Sequence, residues 1–284
     1  MILVTGATGH TGSRLVKKLV ETGHKVRCLV RTPRNAGYLP GEGIEIVYGD
    51  LKHEEKVRKA LKGINILFHA AHIRFASDII PIAKNQGVNR ALFMSSTRRY
   101  TKFACESADA VIKGEDYIKK SGMDYTILRP TMIYGGARDN NMTKLVNHLG
   151  RFRIFPIFGN GKNLIQPVFV WDLVEAMVYC VDHPETAKKE FTLAGPEPLT
   201  YRGALEIIAG QLNRKVFLLP VPLFLCSAVC RIYEKCVSRP RITSDQVRRF
   251  GENKAFDISK AREEIAFSPR SFKEGIRLKI AGEV

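Results

Sequence analysis

The 284-residue sequence lacks several patterns that define specialised classes of protein. Its six cysteines include no Cys-x-x-Cys pair, and no histidine lies close enough to Cys226 and Cys230 to complete a metal set. The most apolar later stretch, Val216 to Cys226, is too short to span a bilayer and contains Pro220 and Pro222. We therefore expect reduced, mostly buried thiols, no metal and no transmembrane segment. The apolar stretch is expected to be buried in a C-terminal lobe, with an interfacial helix as the alternative.

We also expect no leader peptide, and acidic residues are not in excess. No charged segment with an apolar core precedes the first apolar run, which predicts a cytoplasmic location. Lysine and arginine number 45 against 28 acidic residues, so the net charge is +17. This charge favours an acidic protein, RNA or an anionic membrane as partner, and a solvated basic face is the simpler alternative. The basic clusters lack the interleaved aromatics of a base-stacking surface; they are Arg98-Arg99 with Lys102, Arg151 with Arg153, and Arg239, Arg241, Arg248 and Arg249.

What the sequence does contain is a glycine-rich turn near residue 1. An apolar run at residues 2–4 is typical of a buried parallel strand, and apolar side chains recur with helical spacing over residues 15–20. A turn between them that is rich in glycine lets the backbone approach a pyrophosphate, whose charge then lies at the amino end of the new helix. This context predicts a dinucleotide site formed by Gly6, Thr8, Gly9, His10, Thr11 and Gly12.

The end of the second predicted strand bears on the choice of cofactor. A dinucleotide fold places an acidic residue there for a free ribose 2′-hydroxyl, or a basic residue for a 2′-phosphate. The sequence has no acid at this point and continues as Arg31-Thr-Pro-Arg34. Arg31, with Arg34 as a second contact, therefore predicts that NADP(H) is preferred and NAD(H) is the alternative. An ordinary exposed arginine is the structural explanation that competes with this one.

Strands and helices alternate through residue 130 with short connections, which predicts an α/β fold with a doubly wound parallel sheet of the Rossmann type and a smaller C-terminal lobe. We expect residues 1–140 to form the dinucleotide-binding core and residues 141–284 to add to the sheet and build the substrate lobe. Among the helices, one is predicted over residues 77–86 with Ser77 as N-cap and one over residues 173–181 with Asp172 at the cap. His69, at a strand end, is expected to be a structural residue.

Several motifs occur in a characteristic order along nearly the whole chain. They are Val4-Thr-Gly-Ala-Thr-Gly-His-Thr-Gly12, Gly49-Asp-Leu51, His69-Ala-Ala71, Met94-Ser-Ser-Thr97, Leu128-Arg-Pro-Thr-Met-Ile-Tyr-Gly135, Phe158-Gly-Asn-Gly161 and Gln166-Pro-Val-Phe-Val-Trp-Asp172. In these motifs the chain resembles the extended short-chain dehydrogenase/reductases, especially their atypical NAD(P)-binding epimerase/dehydratase-like branch. The resemblance implies that Asp50 and Leu51 lie along the adenine, Ala70 and Ala71 beneath the cofactor, and Pro130 to Ile133 beside the nicotinamide.

The catalytic part of the resemblance is incomplete. Family enzymes use a serine or threonine after the fifth strand and a Tyr-x-x-x-Lys helix that exchanges a proton with a substrate hydroxyl. Thr97 matches the hydroxyl position, but Ser107 and Val111 occupy the tyrosine and lysine positions. Lys113 and Tyr100 are the candidate substitutes, against the alternatives of a surface lysine and a packing tyrosine. Lys113 lies two residues after Val111, about 200° round a helix, and is expected to point elsewhere unless the helix is shifted.

A second departure concerns the substrate. Nucleotide-sugar epimerases of this family carry an arginine that pairs with the diphosphate seven residues before the position of Asp172, and here that residue is Ile165. Pro156 to Phe158 and Val216 to Leu225 are expected to line an apolar pocket instead. Two main hypotheses remain open: an NADP(H)-dependent oxidoreductase or epimerase on a small-molecule substrate, and a non-catalytic NADP(H)-binding redox sensor, assembly or structural subunit. Nucleic-acid binding, suggested by charge alone, is the third.

Overall fold

The computed structural model describes residues 1–103, 105–237 and 250–283, and its centre is a seven-stranded sheet. Every neighbouring pair in this sheet is parallel. Its strands are β1 (Ile2–Thr5), β2 (Val26–Val30), β3 (Ile44–Tyr48), β4 (Ile66–His69), β5 (Arg90–Met94), β6 (Asp124–Pro130) and β11 (Lys189–Leu193). The short strands outside it are β7 (Ile133–Tyr134), β8 (Ile154–Phe158), β9 (Leu164–Ile165), β10 (Val168–Phe169), β12 (Leu199–Thr200) and β13 (Phe217–Val221).

The order of the strands is β11-β6-β5-β4-β1-β2-β3, so the chain reverses direction across the sheet between β1 and β4. In sheets of this kind ligands bind in the crevice at the carboxyl ends of the strands on either side of that reversal. The register pairs Thr5 with Leu29 on one side and with His69 on the other. The three strands therefore end together below the glycine turn.

Helices cover both faces of the sheet, which confirms the predicted doubly wound α/β fold. One apolar core joins a sheet face to α1, α6 and α9, and a second joins the opposite face to α2, α3 and α4. The helices are α1 (His10–Glu21), α2 (Glu54–Leu61), α3 (Ala76–Asn85), α4 (Glu106–Lys120), α5 (Asn140–Arg151), α6 (Val170–Asp182), α7 (Tyr201–Gln211), α8 (Leu223–Cys236), α9 (Ser259–Ile265) and α10 (Phe272–Ala281).

The part of the chain after residue 140 is divided between the sheet and a smaller lobe. Strand β11 pairs with β6 at the sheet edge, and α6 packs on α1. A third apolar core instead joins α5, α7 and α10 to the short strands β8 and β9, and its buried members include Leu149, Ile157, Leu205 and Ile276. Strand β7 follows β6 directly and pairs with β10. Tyr134 of β7 and Phe169 of β10 both belong to the third core, which therefore lies next to the carboxyl end of β6.

The structure corrects three local predictions. Helix α3 begins at Ala76 with Phe75 as N-cap, so Ser77 lies inside the helix. Helix α6 begins at Val170 rather than at residue 173, and its N-cap is Phe169. Asp172 therefore lies in the first turn of α6, where its carboxylate accepts hydrogen bonds from Nε and the backbone N–H of Arg270 at 2.7 and 2.8 Å. A long-range ion pair, rather than a cap, explains this aspartate.

The stretch from Val216 to Cys226 is a further correction. It forms β13 and the start of α8, and several of its apolar side chains face outward instead of being buried in the lobe: Phe217, Leu219, Phe224 and Leu225. One face of the two-stranded β8–β13 sheet packs on the lobe core through Leu218 and Ile157, and the opposite face is exposed. None of the helices in the described ranges is long and apolar enough to cross a membrane.

The six cysteines are free thiols. Cys28 and Cys180 are buried, and burial raises the pKa of each thiol to about 12. The other four are half-buried or exposed, so the expectation of mostly buried thiols holds for only some of them. Across residues 1–103, 105–237 and 250–283, no three His, Cys, Asp or Glu side chains are grouped to hold a metal ion.

Candidate functional site

The glycine turn between β1 and α1 is compressed by backbone on two sides. Gly6 has a φ of +68°, and a Cβ atom there would lie 2.6 Å from the backbone nitrogen of Ala71. A Cβ atom on Gly12 would lie 2.1 Å from the carbonyl oxygen of Gly6. Neither position accepts a side chain, so α1 starts directly against the end of β1. Gly9 is exposed at the start of the helix, and the turn has the cradle shape that a pyrophosphate needs.

Cationic side chains surround this turn, and sequence reasoning missed the most prominent one. Arg138 donates through Nη1 to the carbonyl oxygen of Thr8 at 2.9 Å and bonds the hydroxyl of Ser13. Its guanidinium also lies 4.2 Å from the ring centre of Tyr38. Arg138 follows Gly135-Gly136, which the sequence marks only as a loop. Because it is far from the turn in sequence, no local pattern indicates this contact.

His10 opens α1 and its imidazole is held neutral. Burial, with the nearby Arg14 guanidinium, lowers the pKa of His10 to about 4. Its Nε2 atom is buried and has no hydrogen-bond partner among the described residues. Thr11 is buried beside it, and Thr8 is half-buried. The turn thus combines open backbone, an orphaned buried nitrogen and two arginines, a donor set that fits the phosphates of a dinucleotide.

The residues predicted to contact the ribose and adenine follow β2 and β3. Arg31 and Arg34 are exposed, one directly after β2 and the other in the 3₁₀ turn Pro33–Tyr38. Asp50 and Leu51 follow β3 and are half-buried, and the Asp50 carboxylate accepts a hydrogen bond from the backbone of Lys52. Since β2 and β3 are parallel neighbours, these four residues lie at one edge of the sheet.

The end of β4 forms the floor of the turn. The ring of His69 is completely buried and bonds the hydroxyl of Thr5 at 2.9 Å and the carbonyl oxygen of His72 at 3.3 Å. Burial lowers the pKa of His69 to about 4, so the ring is neutral at pH 7. These contacts fit the structural role expected for this histidine. Ala70 and Ala71 follow it and contact the backbone of Gly6 from below.

An apolar pocket of about 510 Å³ opens beyond the ends of β5 and β6. Thr97 lies at its edge, and the hydroxyl of Thr97 donates to the carbonyl oxygen of Pro130 at 3.3 Å. Pro130 is buried at the end of β6, and Ile133 is half-buried in β7. The pocket is lined by Thr97, Thr131, Met132, Asn141, Met142, Lys144, Leu145, His148, Phe155, Asn163, Ile165, Gln166, Tyr201, Ala204, Phe250, Lys254 and Phe256.

The pocket is apolar, as predicted, but its lining is not the predicted one, since neither Pro156 nor Ile157 belongs to it. Ile165 is in the pocket wall, where a nucleotide-sugar enzyme would place its diphosphate-binding arginine. Residues 216–225, all of them described, are absent from the lining, which corrects the expectation that they cover the pocket. Of the strand that pairs with them, Phe155 lines the pocket and Ile157 is buried in the lobe core. Lys144 and His148, which the sequence did not single out, supply polar atoms through the pocket-facing side of α5.

The face of α4 where the family places its Tyr-x-x-x-Lys pair holds other chemistry. Val111 is buried in the apolar core, and Ser107 is half-buried near Cys105. One turn further on, Glu115 is completely buried. Its carboxylate accepts hydrogen bonds from Arg129 at 2.6 and 2.8 Å and from Ser95 at 2.5 Å. Burial alone raises the pKa of Glu115, but the bonds from Arg129 and Ser95 outweigh burial and lower it.

The two candidate substitutes for the dyad lie away from the apolar pocket. Lys113 is exposed on α4, on the side opposite Val111, and is not among the lining residues of the pocket, all of which are described. The hydroxyl of Tyr100 accepts a hydrogen bond from Nη1 of Arg129 at 3.1 Å, and the side chain borders a separate polar cavity with Glu190. Of the three predicted catalytic residues, the structure brings only Thr97 to the pocket.

Comparison with known proteins agrees with this geometry. A family model described as NAD(P)H-binding matches residues 6–152, from the glycine turn through α5. UDP-glucose 4-epimerase of Vibrio cholerae is 24% identical, over 97% of this chain and 93% of its own length. Subunit 9 of the NADH dehydrogenase [ubiquinone] 1 alpha subcomplex of Mus musculus, a mitochondrial protein, is 25% identical over 87% of this chain and 70% of its own length.

A solved structure shares the whole fold. UDP-glucuronic acid 4-epimerase from Bacillus cereus, determined in complex with NAD, superposes with a TM-score of 0.77 at 16% identity and covers 99% of this chain and 97% of its own. At this identity the likeness concerns the fold alone. Together with the family match, it confirms the resemblance to the epimerase/dehydratase-like enzymes. The chain belongs to the NAD(P)H-binding family, with the Rossmann-type fold of the epimerases and dehydratases.

Proposed function

We propose that this protein is an oxidoreductase that uses NADP(H) in preference to NAD(H) and acts on an apolar carbonyl or hydroxyl compound. The observation that carries the proposal is the apolar pocket bordered by Thr97 and Thr131, at the strand ends where the nicotinamide is expected. A pocket of this size, with a few polar atoms in an apolar wall, is typical of small-molecule sites. The bound nicotinamide would supply hydride transfer, and the protein would supply orientation and a proton.

The cofactor half of the proposal rests on the turn and the strand-two arginines. Gly6, Gly9 and Gly12, with Thr8, His10 and Thr11, would hold the pyrophosphate, and Ala70 and Ala71 would lie beneath it. Arg31 and Arg34 would pair with the 2′-phosphate, and Asp50 and Leu51 would lie along the adenine. Arg138 joins this set as a new candidate because it already bonds the carbonyl oxygen of Thr8. Pro130 and Ile133 would flank the nicotinamide.

The proton cannot come from a Tyr-Lys pair at the usual positions. Thr97 can donate a hydrogen bond that polarises a carbonyl oxygen, but a threonine hydroxyl is a poor acid. His148 lines the same pocket, and histidine is the side chain that most often serves as a general acid or base. We therefore assign Thr97 to orientation and His148 to proton exchange, while Tyr100 and Lys113 have no geometric support from the pocket.

Cofactor selectivity tests the first half. NADPH should bind more tightly than NADH in a titration, and Arg31→Ala should reduce NADPH affinity at least about tenfold while NADH affinity changes little, since a charged hydrogen bond is lost. Arg58→Ala, at an exposed position paired with Glu54, is the matched control. Equal affinities of the unmodified protein for the two cofactors would contradict the 2′-phosphate assignment.

Turnover tests the second half. NADPH oxidation should be measured against a panel of apolar aldehydes and ketones. Thr97→Ala should lower kcat at least about tenfold with NADPH binding intact, and Thr97→Ser should restore most of it, because only the hydroxyl is needed. Absence of turnover with the whole panel would overturn the oxidoreductase proposal.

A second candidate function is favoured by the α4 face. Val111, at the usual lysine position, is buried in the core, and the hydroxyl of Tyr100, a candidate substitute, accepts a hydrogen bond from Arg129. This arrangement supports a non-catalytic NADP(H)-binding protein that acts as a redox sensor, assembly factor or structural subunit; one relative is named as a subunit of NADH dehydrogenase. This function predicts NADPH binding without turnover, and a partner interaction that NADPH alters and salt weakens.

A further inference from the structure

The outer surface of the lobe carries a continuous row of exposed apolar side chains. Strands β8 and β13 are parallel partners, with Phe217 opposite Ile154 and Leu219 opposite Pro156. Residues opposite one another in a strand pair project from the same face. Phe217 is 64% exposed and Ile154 58% exposed, and Leu219 and Pro156 beside them are also exposed. One face of this two-stranded sheet is therefore apolar and open.

Helix α8 extends this surface. It begins two residues after β13, and Leu223 packs against the loop at Gly159. Phe224 is 76% exposed, and Leu225, Ala228 and Val229 are exposed on the same side. The spacing of these four residues places them on one stripe of the helix, and that stripe is apolar where a surface helix is normally polar. The apolar face, as we call it, comprises Ile154, Pro156, Phe217, Leu219, Phe224, Leu225, Ala228 and Val229.

Basic residues border the apolar face, and the one acidic residue of β8, β13 and α8 is Glu234, in the last turn of α8. Residues 151–162 and 212–233 contain six lysines and arginines and no aspartate or glutamate. Arg151 and Arg153 precede β8, while Arg214 and Lys215 precede β13, and all four are exposed. Because the two strands are parallel, these four cations lie at the same end of the face. The backbone confirms this, since Phe217 donates to the carbonyl oxygen of Arg153 at 2.7 Å.

An apolar face with a basic border favours an anionic membrane over a second copy of the chain or RNA. A second copy of the chain would bring two basic borders together in a protein whose net charge is already +17, which is repulsive. RNA needs stacking aromatics, and most of the apolar face is aliphatic. An anionic bilayer offers acyl chains to the apolar side chains and phosphates to the cations. With 14 residues, α8 is too short to span a bilayer and has the length to lie along its surface.

We propose that the apolar face binds peripherally to a membrane that contains anionic lipids, with α8 and the outer side of the β8–β13 pair inserted at the level of the headgroups. The pocket lies directly behind this face, because Phe155, between Ile154 and Pro156, points inward and lines it. Membrane binding does not depend on catalysis or on the identity of the cofactor. It gives the excess of basic residues a specific role.

Cosedimentation with vesicles tests the proposal on the full chain. The protein should bind phosphatidylcholine vesicles that contain phosphatidylserine, and binding should fall steeply between about 0.1 M and about 0.5 M NaCl as the charges are screened. Phe224→Glu should lower the partition coefficient at least about tenfold, because it places a charge where an apolar ring is inserted. Tyr117→Glu, at an exposed aromatic position on α4, is the matched control and should leave binding unchanged within about twofold.

The basic border is tested separately. Replacing Arg214 and Lys215 by glutamine should lower binding by about fivefold for each cation removed. Replacing Lys59 and Lys62, exposed around the end of α2, changes the net charge equally and should have a much smaller effect. Circular dichroism should show each variant folded, as expected for exposed positions.

Three results would overturn the proposal. They are the absence of binding to anionic vesicles, equal binding to vesicles of phosphatidylcholine alone, and equal losses in the face variants and their controls. Size-exclusion chromatography identifies the competing occupant: a concentration-dependent oligomer that Phe224→Glu dissociates would assign the face to self-association instead.

Discussion

The glycine turn and helix α4 differ in whether backbone or side chains form the candidate site. At the glycine turn, the contacts are mostly made by backbone: Gly6 against Ala71, Gly12 against Gly6, and the carbonyl oxygen of Thr8 bound by Arg138. On α4, where the family places its catalytic pair, the contacts are made by side chains. Val111 packs in the core, and Glu115 pairs with Arg129. The first region keeps the shape needed for a dinucleotide. The second has no Tyr-x-x-x-Lys pair and holds an apolar contact and a buried ion pair.

The difference shows why cofactor binding and catalysis can separate in one fold. Backbone N–H groups still bind phosphate after most side-chain substitutions, provided that no new side chain occupies the turn. Proton transfer, in contrast, is lost when a single catalytic side chain is replaced. One turn beyond Val111 on α4, Glu115 connects Ser95, Arg99 and Arg129. Stability, its pH dependence and NADPH binding should therefore respond differently to changes in the two regions.

The largest effect is expected at Glu115. Glu115→Gln should reduce the free energy of unfolding by about 3 to 5 kcal/mol, since it leaves buried arginine charge without its main partner. Urea denaturation measures the change. Asp116→Asn, at the next and exposed position of α4, is the control and should change stability by less than about 0.5 kcal/mol. Similar results for the two variants would mean that the network on α4 does not stabilise the fold.

The next effect is a pH dependence at the floor of the glycine turn. Burial lowers the pKa of His69 from 6.5 to about 4, so the unfolded chain takes up a proton before the folded one does. The contribution of the neutral ring is fully present above about pH 6.5 and is lost as the pH falls to about 4. It amounts to at most about 3 kcal/mol. His69→Gln should make the stability profile less steep in this window, and the slope that remains is expected from His10, whose pKa is also lowered to about 4.

Denaturation at a series of pH values measures the profile. His53→Gln, at an exposed position before α2, serves as the comparison variant and should retain the slope of the unmodified protein. If His69→Gln also retains it, the acid sensitivity in this window comes from another group. The contribution of the Glu115 pair should begin to fall near the ordinary carboxyl pKa of 4.5 and continue to fall below it, because the pKa of the folded carboxyl is held below that value.

A smaller loss is expected at the turn itself. Gly12→Ala should destabilise the fold by about 1 to 3 kcal/mol and weaken NADPH binding at least tenfold, because the new Cβ would lie 2.1 Å from a carbonyl oxygen. Thermal unfolding and NADPH titration measure the two effects. Gly210→Ala is the matched helical control, since a Cβ there meets no atom within 4 Å. Normal NADPH affinity in Gly12→Ala would contradict the proposed cradle.

The smallest effect is expected at Lys113. Lys113→Ala should change stability by less than about 0.5 kcal/mol and leave NADPH binding and any turnover unaltered, because the side chain is exposed and remote from the pocket. The same titration and turnover assays apply, with Thr97→Ala as the contrasting variant. A large loss of turnover in Lys113→Ala would restore this lysine as a catalytic residue and blur the distinction between the two regions.

The sequence indicates only some of the residues that form the candidate site. Arg31 and Arg34 can be identified from the sequence because they follow the second apolar run. At that place an acidic residue suits a ribose 2′-hydroxyl and a basic residue suits a 2′-phosphate. Nothing local to Arg138 indicates that it bonds Thr8, and nothing local to Glu115 indicates Arg129 as its partner. The exposure of Phe224 was also misjudged, because apolar composition alone does not tell which face of a segment has a neighbour.

Several features can be read from consecutive residues, since period, turn chemistry and motif spacing are local properties. They are the glycine turn, the alternation of strands and helices, and Val111 and Ile165 at the positions of the family's lysine and arginine. Other features follow only from the fold: Thr97 borders the pocket, Lys113 and Tyr100 lie away from it, and β13 and α8 leave an apolar surface exposed. Such features depend on which distant segments pack together, and packing is a property of the whole chain rather than of any stretch within it.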